Sequence, residues 1–276
     1  SGKMKIIVGD ANEAVMKSKG FDYIEIDPFG TPNPFLSSAI ARISRGGIVA
    51  VTATDTAALT GTYPKVTYRK YWAKPVKNYM MHETGLRILI RKVQLLGMQF
   101  DKAMVPILSY HNDHYFRVYF QCAKGKEKCD EIVREHRYLL WCRECLNYRC
   151  SPFNQQDCCS KKMEFAGPLW CGMLGDSVLL SRMAAQKMFE SEQLFLEQLL
   201  SEVSLGVGFF QIHEMCRILK IDPPKLDLVL EAVGGVRTHF DDTGVKCNVS
   251  SVQLRDVLLK LHIGKEISSR KNSNII

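Results

Sequence analysis

The sequence predicts an α/β fold built on a largely parallel sheet, on three observations. Short apolar runs alternate with helix-period segments through the first hundred residues. Aspartates recur where those runs end. The last two apolar runs lie close together across a short polar stretch, the mark of an antiparallel hairpin at one edge. In order, "KIIV" at 5–8 reads as a buried strand ending at Gly9-Asp10, and 11–19 as a helix with Ala14, Val15 and Met16 on its apolar side. "YIEI" at 23–26 is a second strand, and "PFLSSAIARIS" at 34–44 a helix stopped by Gly46-Gly47. "GIVAVTAT" at 47–54 is apolar on both faces, as a central parallel strand must be. A helix over about 78–97 carries Met81, Leu86, Ile90, Val93 and Leu96 at helical spacing, and strands near 103–109 and 115–122 flank His111-Asn112-Asp113-His114.

Hydrophobic residues make up 46% and charged residues 24% of the 276, which excludes a fibrous or disordered chain. No apolar run approaches the roughly 18 residues that span a bilayer, so no membrane association is expected. Ser1-Gly2-Lys3-Met4 lacks the apolar core of a secretion signal, which predicts the reducing cytoplasm. Charge is uneven: 16 Lys and Arg against 9 Asp and Glu through residue 122, and 21 against 20 beyond it. Between Asp55 and Glu83 there is no acid, while Lys65, Arg69, Lys70, Lys74 and Lys77 alternate with Tyr63, Tyr68, Tyr71, Trp72 and Tyr79. Cations neutralise phosphates and aromatic rings stack on bases, so this stretch suits nucleic acid; the plainer alternative is a solvated loop whose rings pack on its own core.

Ligands of α/β sheets sit at the carboxyl ends of strands. Asp10, Asp27 and Thr54-Asp55 all fall at such ends, although a lone aspartate there often only caps the next helix. The stretch "DPFG" at 27–30 is denser than a turn requires. Pro28 fixes the backbone after Asp27, Phe29 offers a flat face beside the carboxylate, and Gly30 permits close approach. Together these groups can hold a planar base with an exocyclic amine, the carboxylate taking a proton as the amine becomes a nucleophile.

Asp27-Pro28-Phe29-Gly30 resembles the D-P-P-Y type motif of amino-methyltransferases. The longer strings "IDPFGTPNPF", "VTATDTAALTGTYP", "HETGLRILIRKVQLLG", "DHYFRV", "AGPLW" and "RTHFDDTGVK" resemble the tRNA guanine-26 N2-dimethyltransferase family, archaeal type, over nearly the whole chain. The resemblance implies a class I (Rossmann-like) methyltransferase domain, S-adenosylmethionine as donor, and the N2 of a tRNA guanine as acceptor. It implies Asp27 and Phe29 as catalytic residues, Asp10 and Ala11 as donor-binding residues, and Arg69 and Lys70 on the tRNA side. Glu25 departs from the family's usual Asp. The usual strand order is 3-2-1-4-5-7-6, and the chain begins at what resembles the third strand. The expectation is therefore an N-terminally incomplete sheet and donor site, open to a separate N-terminal segment that completes it. The alternatives are a non-catalytic tRNA-binding remnant or subunit, and a DNA amino-methyltransferase, which the tRNA-family strings disfavour.

The ten cysteines divide in two. Cys122, Cys129, Cys171, Cys216 and Cys247 are scattered and read as small buried hydrophobes. Cys142, Cys145, Cys150, Cys158 and Cys159 crowd into 18 residues, and a Cys-x-x-Cys pair with further thiols in reach suits tetrahedral zinc, disulfides being the alternative. The family often has two Cys-x-x-Cys pairs here; Gln156 stands where the third cysteine belongs, so Cys158 or Cys150 must replace it. The expected ligands are Cys142, Cys145, Cys158 and Cys159, and His82, His111, His114 and His213 show no metal spacing. Residues 1–122 are expected to form the partial catalytic domain. Residues 123–276 form an α+β tRNA-binding domain, with the cysteine-rich insertion at about 142–159. Three apolar-striped helices and the hairpin-like "VRTHFDDTGVKCNVS" give its end a winged-helix look, with Arg237, His239 and Lys246 open to solvent or RNA. "GKEISSRKNSNII" reads as a frayed tail.

Overall fold

The computed structural model describes residue 4, residues 6–186 and residues 189–273, from 265 onward as backbone only. The first half holds helix α1 (Ala11–Met16), strand β1 (Phe21–Ile26), α2 (Asn33–Arg42), β2 (Ile43–Ala53), α3 (Thr56–Leu59), α4 (Pro64–Tyr71), α5 (Met81–Met98), β3 (Lys102–Asn112) and β4 (Tyr115–Lys124). The four strands form one sheet in the order β1-β2-β4-β3. β1 runs parallel to β2, and both β2–β4 and β3–β4 are antiparallel. The alternation in β1 decides its facing: Ile24 and Ile26 are buried toward α2, while Tyr23 and Glu25 face outward. α2 and α5 cover that side, where Leu36, Ile40, Leu86, Leu89, Ile90 and Val93 are fully buried. The hairpin predicted at one edge is present and turns at Asp113-His114.

One strand expected from the sequence does not form. Ile6, Ile7 and Val8 are exposed and belong to no strand, and Lys5 lies outside the described residues. An apolar run becomes a strand only beside a partner that takes its backbone hydrogen bonds, and β1, the nearest candidate, pairs with β2 alone among the described residues. The sheet therefore has one parallel pair rather than a run of them, with one edge of β1 open.

The second half opens with α6 (Lys126–Arg134) and β5 (His136–Trp141), then β6 (Tyr148–Ser151), β7 (Asp157–Cys158), β8 (Lys161–Lys162) and β9 (Glu164–Trp170). β6-β5-β9 form a sheet and β7-β8 a small ribbon. α7 (Ser177–Ala184) and α8 (Glu190–Val203) pack Leu180, Leu196 and Leu199 against Leu108, Tyr110 and Tyr119 on the other side of the hairpin. Last come β10 (Phe210–Gln211), α9 (Ile212–Leu219), α10 (Leu226–Val233), β11 (Val236–Thr238), β12 (Asp241–Lys246) and α11 (Ser251–Ser273). Helices α9, α10 and α11 enclose a core with the sheet β10-β12-β11, consistent with the expected winged-helix order. The tail expected to fray is instead the end of α11 as far as Ser273; residues 274–276 lie outside the described residues.

Two residues read as part of a surface wing are interior. Lys246 is 2% exposed, and its ammonium donates to Glu83 Oε1 at 3.1 Å and the Gly206 carbonyl at 3.0 Å. His239 is buried against Glu202, its Nδ1 on Oε1, and its Nε2 accepts from the His111 amide. Both sit where β11 and β12 meet α5 and α8, so the hairpin is welded to the rest of the chain. Arg237 does stay exposed, paired with Asp227.

Candidate active site and cysteine centre

β1 and β2 are parallel neighbours, so their carboxyl ends deliver Asp27 and Thr54-Asp55 to one place. The Asp27-Pro28-Phe29-Gly30 loop is clamped to the end of β2 from both sides. Thr54 Oγ1 accepts from the Gly30 amide at 2.6 Å, and the Thr54 amide donates to the Gly30 carbonyl at 3.0 Å. Gly30 has φ +89°, where a side chain is strained, and a Cβ there would meet nothing within 4 Å. The glycine is thus needed for the turn itself.

Next to the clamp, the buried Tyr71 hydroxyl donates to Asp55 Oδ1 at 2.6 Å and lies 2.9 Å from the Thr31 hydroxyl. Burial and the Asp55 carboxylate raise the Tyr71 pKa, so it remains a donor. On the outward face of β1, Arg117 Nη2 donates to Glu25 Oε1 at 2.9 Å, and the Tyr23 hydroxyl to Oε2 at 2.9 Å. The Arg117 bond, with Tyr23 assisting, holds Glu25 below the usual carboxylate range. The longer acid at this position is therefore tied to β4, where Arg117 also reaches Thr52.

Asp27 and Phe29 are both exposed, and Phe29 fully so. Asp27 and Pro28 border a cavity of about 240 Å³, with Ala11, Asn12 and Val15 of α1 and Phe35 and Ser38 of α2 on its other walls. Ala11 therefore faces the same space as Asp27. Asp10 does not line it: its carboxylate caps α1, accepting from the Glu13 amide at 2.8 Å. The cavity wall of Val15, Ile24 and Phe35 suits a flat apolar ring, and Asn12, Glu25, Asp27 and Ser38 supply its polar positions.

Of the basic stretch, Lys65, Arg69 and Lys70 of α4 are exposed, as are Tyr63, Tyr68 and Trp72. Tyr71 does not belong with the exposed rings, being fully buried, and Tyr79 packs edge-on against Phe209. Sequence reasoning missed the brace formed by Thr31, Thr54 and Tyr71. Its signal was the i, i+4 pair Thr67 and Tyr71, which marks the buried side of α4.

Cys142, Cys145, Cys158 and Cys159 converge, their sulfurs all within 4.8 Å of one another. Cys145 and Cys158 Sγ are 3.6 Å apart, and Cys158 and Cys159 Sγ 3.9 Å. Zinc–sulfur bonds of ~2.3 Å at tetrahedral angles put sulfurs ~3.8 Å apart, close to the two separations above, so the donor set suits zinc. Burial opposes a thiolate at Cys142, but the amides of Cys145 and Glu144 outweigh it and lower its pKa. The left-handed Leu146, Cys159 and Ser160 curl the two ends around the cluster. Cys150 is not available to it: it forms a disulfide with Cys171. That corrects the reading of Cys171 as an isolated hydrophobe: it lies just past the end of β9, within disulfide reach of Cys150 on β6.

Residues 2–259 match the family model described as N2,N2-dimethylguanosine tRNA methyltransferase. The tRNA (guanine(26)-N(2)/guanine(27)-N(2))-dimethyltransferase of Aquifex aeolicus is 38% identical over 244 residues, covering 84% of this chain and 62% of that protein. The tRNA (guanine(26)-N(2))-dimethyltransferase of Methanobrevibacter smithii is 37% identical over 276 residues, covering 94% and 71%. The solved structure of Trm1 from Pyrococcus horikoshii with S-adenosyl-L-methionine superposes with a TM-score of 0.80 at 29% identity, covering 91% of this chain and 69% of that one. The chain thus spans about two thirds of the length of these relatives, and it belongs to the N2,N2-dimethylguanosine tRNA methyltransferase family.

Proposed function

We propose that this chain carries the acceptor side of a tRNA methyltransferase that dimethylates the exocyclic N2 of guanine 26, with S-adenosylmethionine as donor. The observation that supports this most is the clamped loop, which sets Asp27 on the wall of the cavity and leaves Phe29 fully exposed beside it. S-adenosylmethionine, when bound, supplies an electrophilic methyl group. Guanine N2 is a poor nucleophile because its lone pair delocalises into the ring. Asp27 accepts a hydrogen bond from an N2 proton, which orients the lone pair, and takes that proton as the new C–N bond forms. Phe29 stacks on the base and fixes its plane. The same residues serve a second transfer, since one N2 proton remains after the first.

Ala11 and its neighbours on α1 would hold the adenine end of the donor. Asp10 serves there through its cap, by fixing the start of α1, rather than as a direct ligand. The open edge of β1 and the exposed Ile6–Val8 favour addition of a further strand. A segment supplied there should tighten donor binding measured by calorimetry. In this reading residues 1–122 perform the chemistry, and residues 123–276 place the tRNA, with zinc on Cys142, Cys145, Cys158 and Cys159 fixing the insertion. The cytoplasm, where tRNA is modified, is the proposed location. A non-catalytic tRNA-binding role is disfavoured by the intact loop and its clamp.

The test is transfer of labelled methyl groups by the full-length enzyme to a tRNA transcript and to its guanine-26-to-adenine variant. Labelled dimethylguanosine from the first and none from the second is expected. Equal labelling of both would overturn the assignment of the acceptor.

A further inference from the structure

We propose that the cleft between the cysteine insertion and α9 binds RNA phosphates, making that insertion part of the tRNA-contacting surface. The proposal rests on the tRNA reading above. The cleft encloses about 460 Å³. Four cations from three separate elements line it: Lys74 and Lys77 from the segment after α4, Arg143 beside Cys142, and Arg217 on α9. Against them stand two acids, Glu164 and Glu214. Each is already occupied, Glu164 by Arg143, and Glu214 by a two-pronged contact from Arg217 at 2.9 and 2.6 Å. Lys77 is exposed and makes no ion pair among the described residues, and the Lys74 ammonium lies 3.8 Å from the centre of the Phe165 ring. The net excess of two positive charges is thus carried by the two lysines.

Both arginines are exposed, with their glutamates half-buried. Ion pairs open to solvent on the arginine side are worth little, so a phosphate can compete with Glu164 for Arg143, and with Glu214 for the more firmly held Arg217. Position strengthens the case. Lys74 and Lys77 continue the acid-free stretch that includes Arg69, Lys70, Tyr68 and Trp72 on α4. One positive strip therefore runs from α4, braced to Asp55 beside the Asp27 loop, to the cysteine insertion. Another large cleft, lined by Asp113, Asp241 and Asp242 against Arg237, carries a net negative charge and is less suited to a phosphate chain.

The two glutamates make the idea sharply testable, because removing an acid should improve binding. Binding of a tRNA transcript to the 276-residue chain is measured from ~50 to ~200 mM salt, where each phosphate contact contributes ~0.7–0.9 to the slope of log affinity against log salt. Lys77→Ala and Arg217→Ala are each expected to reduce the slope by nearly one contact and to weaken binding several-fold. Glu214→Gln, which frees Arg217, is expected to tighten binding. Lys126→Ala, at the opposite end of the sheet, serves as the control and should change neither. Unaltered slopes in Lys77→Ala and Arg217→Ala, with Arg69→Ala still weakened, would overturn this inference alone. Failure of the unsubstituted chain to bind tRNA would overturn the underlying tRNA reading as well.

Discussion

Replacing Glu83 with Gln should destabilise the protein more than removing Lys246, although both belong to one buried cluster. Glu83 Oε1 accepts from Arg87 Nε at 2.9 Å, the Gly208 amide at 2.9 Å and Lys246 Nζ at 3.1 Å. Arg87 Nη1 also donates to the Trp170 and Gly172 carbonyls at 3.0 and 2.8 Å. The three side chains are at most 2% exposed and together carry one negative and two positive charges. Burial alone would raise the Glu83 pKa, but Lys246 and Arg87 prevail and hold it at about 2. Glu83→Gln keeps the shape and leaves two buried cations facing a neutral amide, at a cost of about 3–5 kcal/mol. Lys246→Met leaves the Glu83–Arg87 pair neutral and intact, and loses two charge-assisted bonds worth about 1.5–3 kcal/mol together, after the relieved cost of burying the ammonium. The double variant should fall short of the sum, because the two residues share one interaction. Urea titration followed by the fluorescence of Trp141 and Trp170 reads all three. A Lys246→Met loss equal to or larger than that of Glu83→Gln, or strict additivity, would refute the charge argument.

Further outcomes are expected elsewhere. Thr54→Val removes the acceptor for the Gly30 amide and should lower kcat of the full-length enzyme about tenfold or more with tRNA affinity unchanged; Thr54→Ser should restore it, and equal rates in all three would deny the clamp a role. Purified protein should contain about one zinc per chain, lost in a Cys142→Ser/Cys145→Ser variant; elemental analysis finding none in the unsubstituted chain would contradict the donor geometry. Burial, chiefly, holds His111 and His136 down to about 4, so the unfolded chain protonates before the folded one does. Stability should therefore be full above pH ~6.5 and decline as the pH falls toward about 4. A Tm unchanged between neutral pH and pH ~5 would count against it.

What could be read from the sequence follows from how far apart the interacting residues lie. The hairpin over β3 and β4 was legible because two apolar runs flank the short polar stretch His111-Asn112-Asp113-His114, within which the turn narrows to Asp113-His114. The aspartates at the ends of β1 and β2 were legible because parallel neighbours must align their carboxyl ends. The partners of those aspartates were not, since Thr54 to Gly30 and Tyr71 to Asp55 are contacts across elements. Lys246 and His239 looked like solvent-facing wing residues because periodicity reports which face a side chain takes, not what later packs upon it. Their partners Glu83 and Glu202 lie 163 and 37 residues away. β5 and β9 close across the whole cysteine insertion, and that closure, invisible in spacing, brings Cys150 to Cys171. The run at 5–8 shows the converse: apolar composition proposes a strand, and only a partner makes one.

The most direct test is Asp27→Asn in the full-length enzyme, assayed for methyl transfer to tRNA under single-turnover conditions beside tRNA and S-adenosylmethionine binding. Asparagine preserves size and hydrogen bonding but cannot take the N2 proton. If Asp27 is the acceptor, the rate falls by ~10²–10⁴ while both affinities stay within a few-fold. Dimethylguanosine formed at the unsubstituted rate would contradict the role assigned to Asp27.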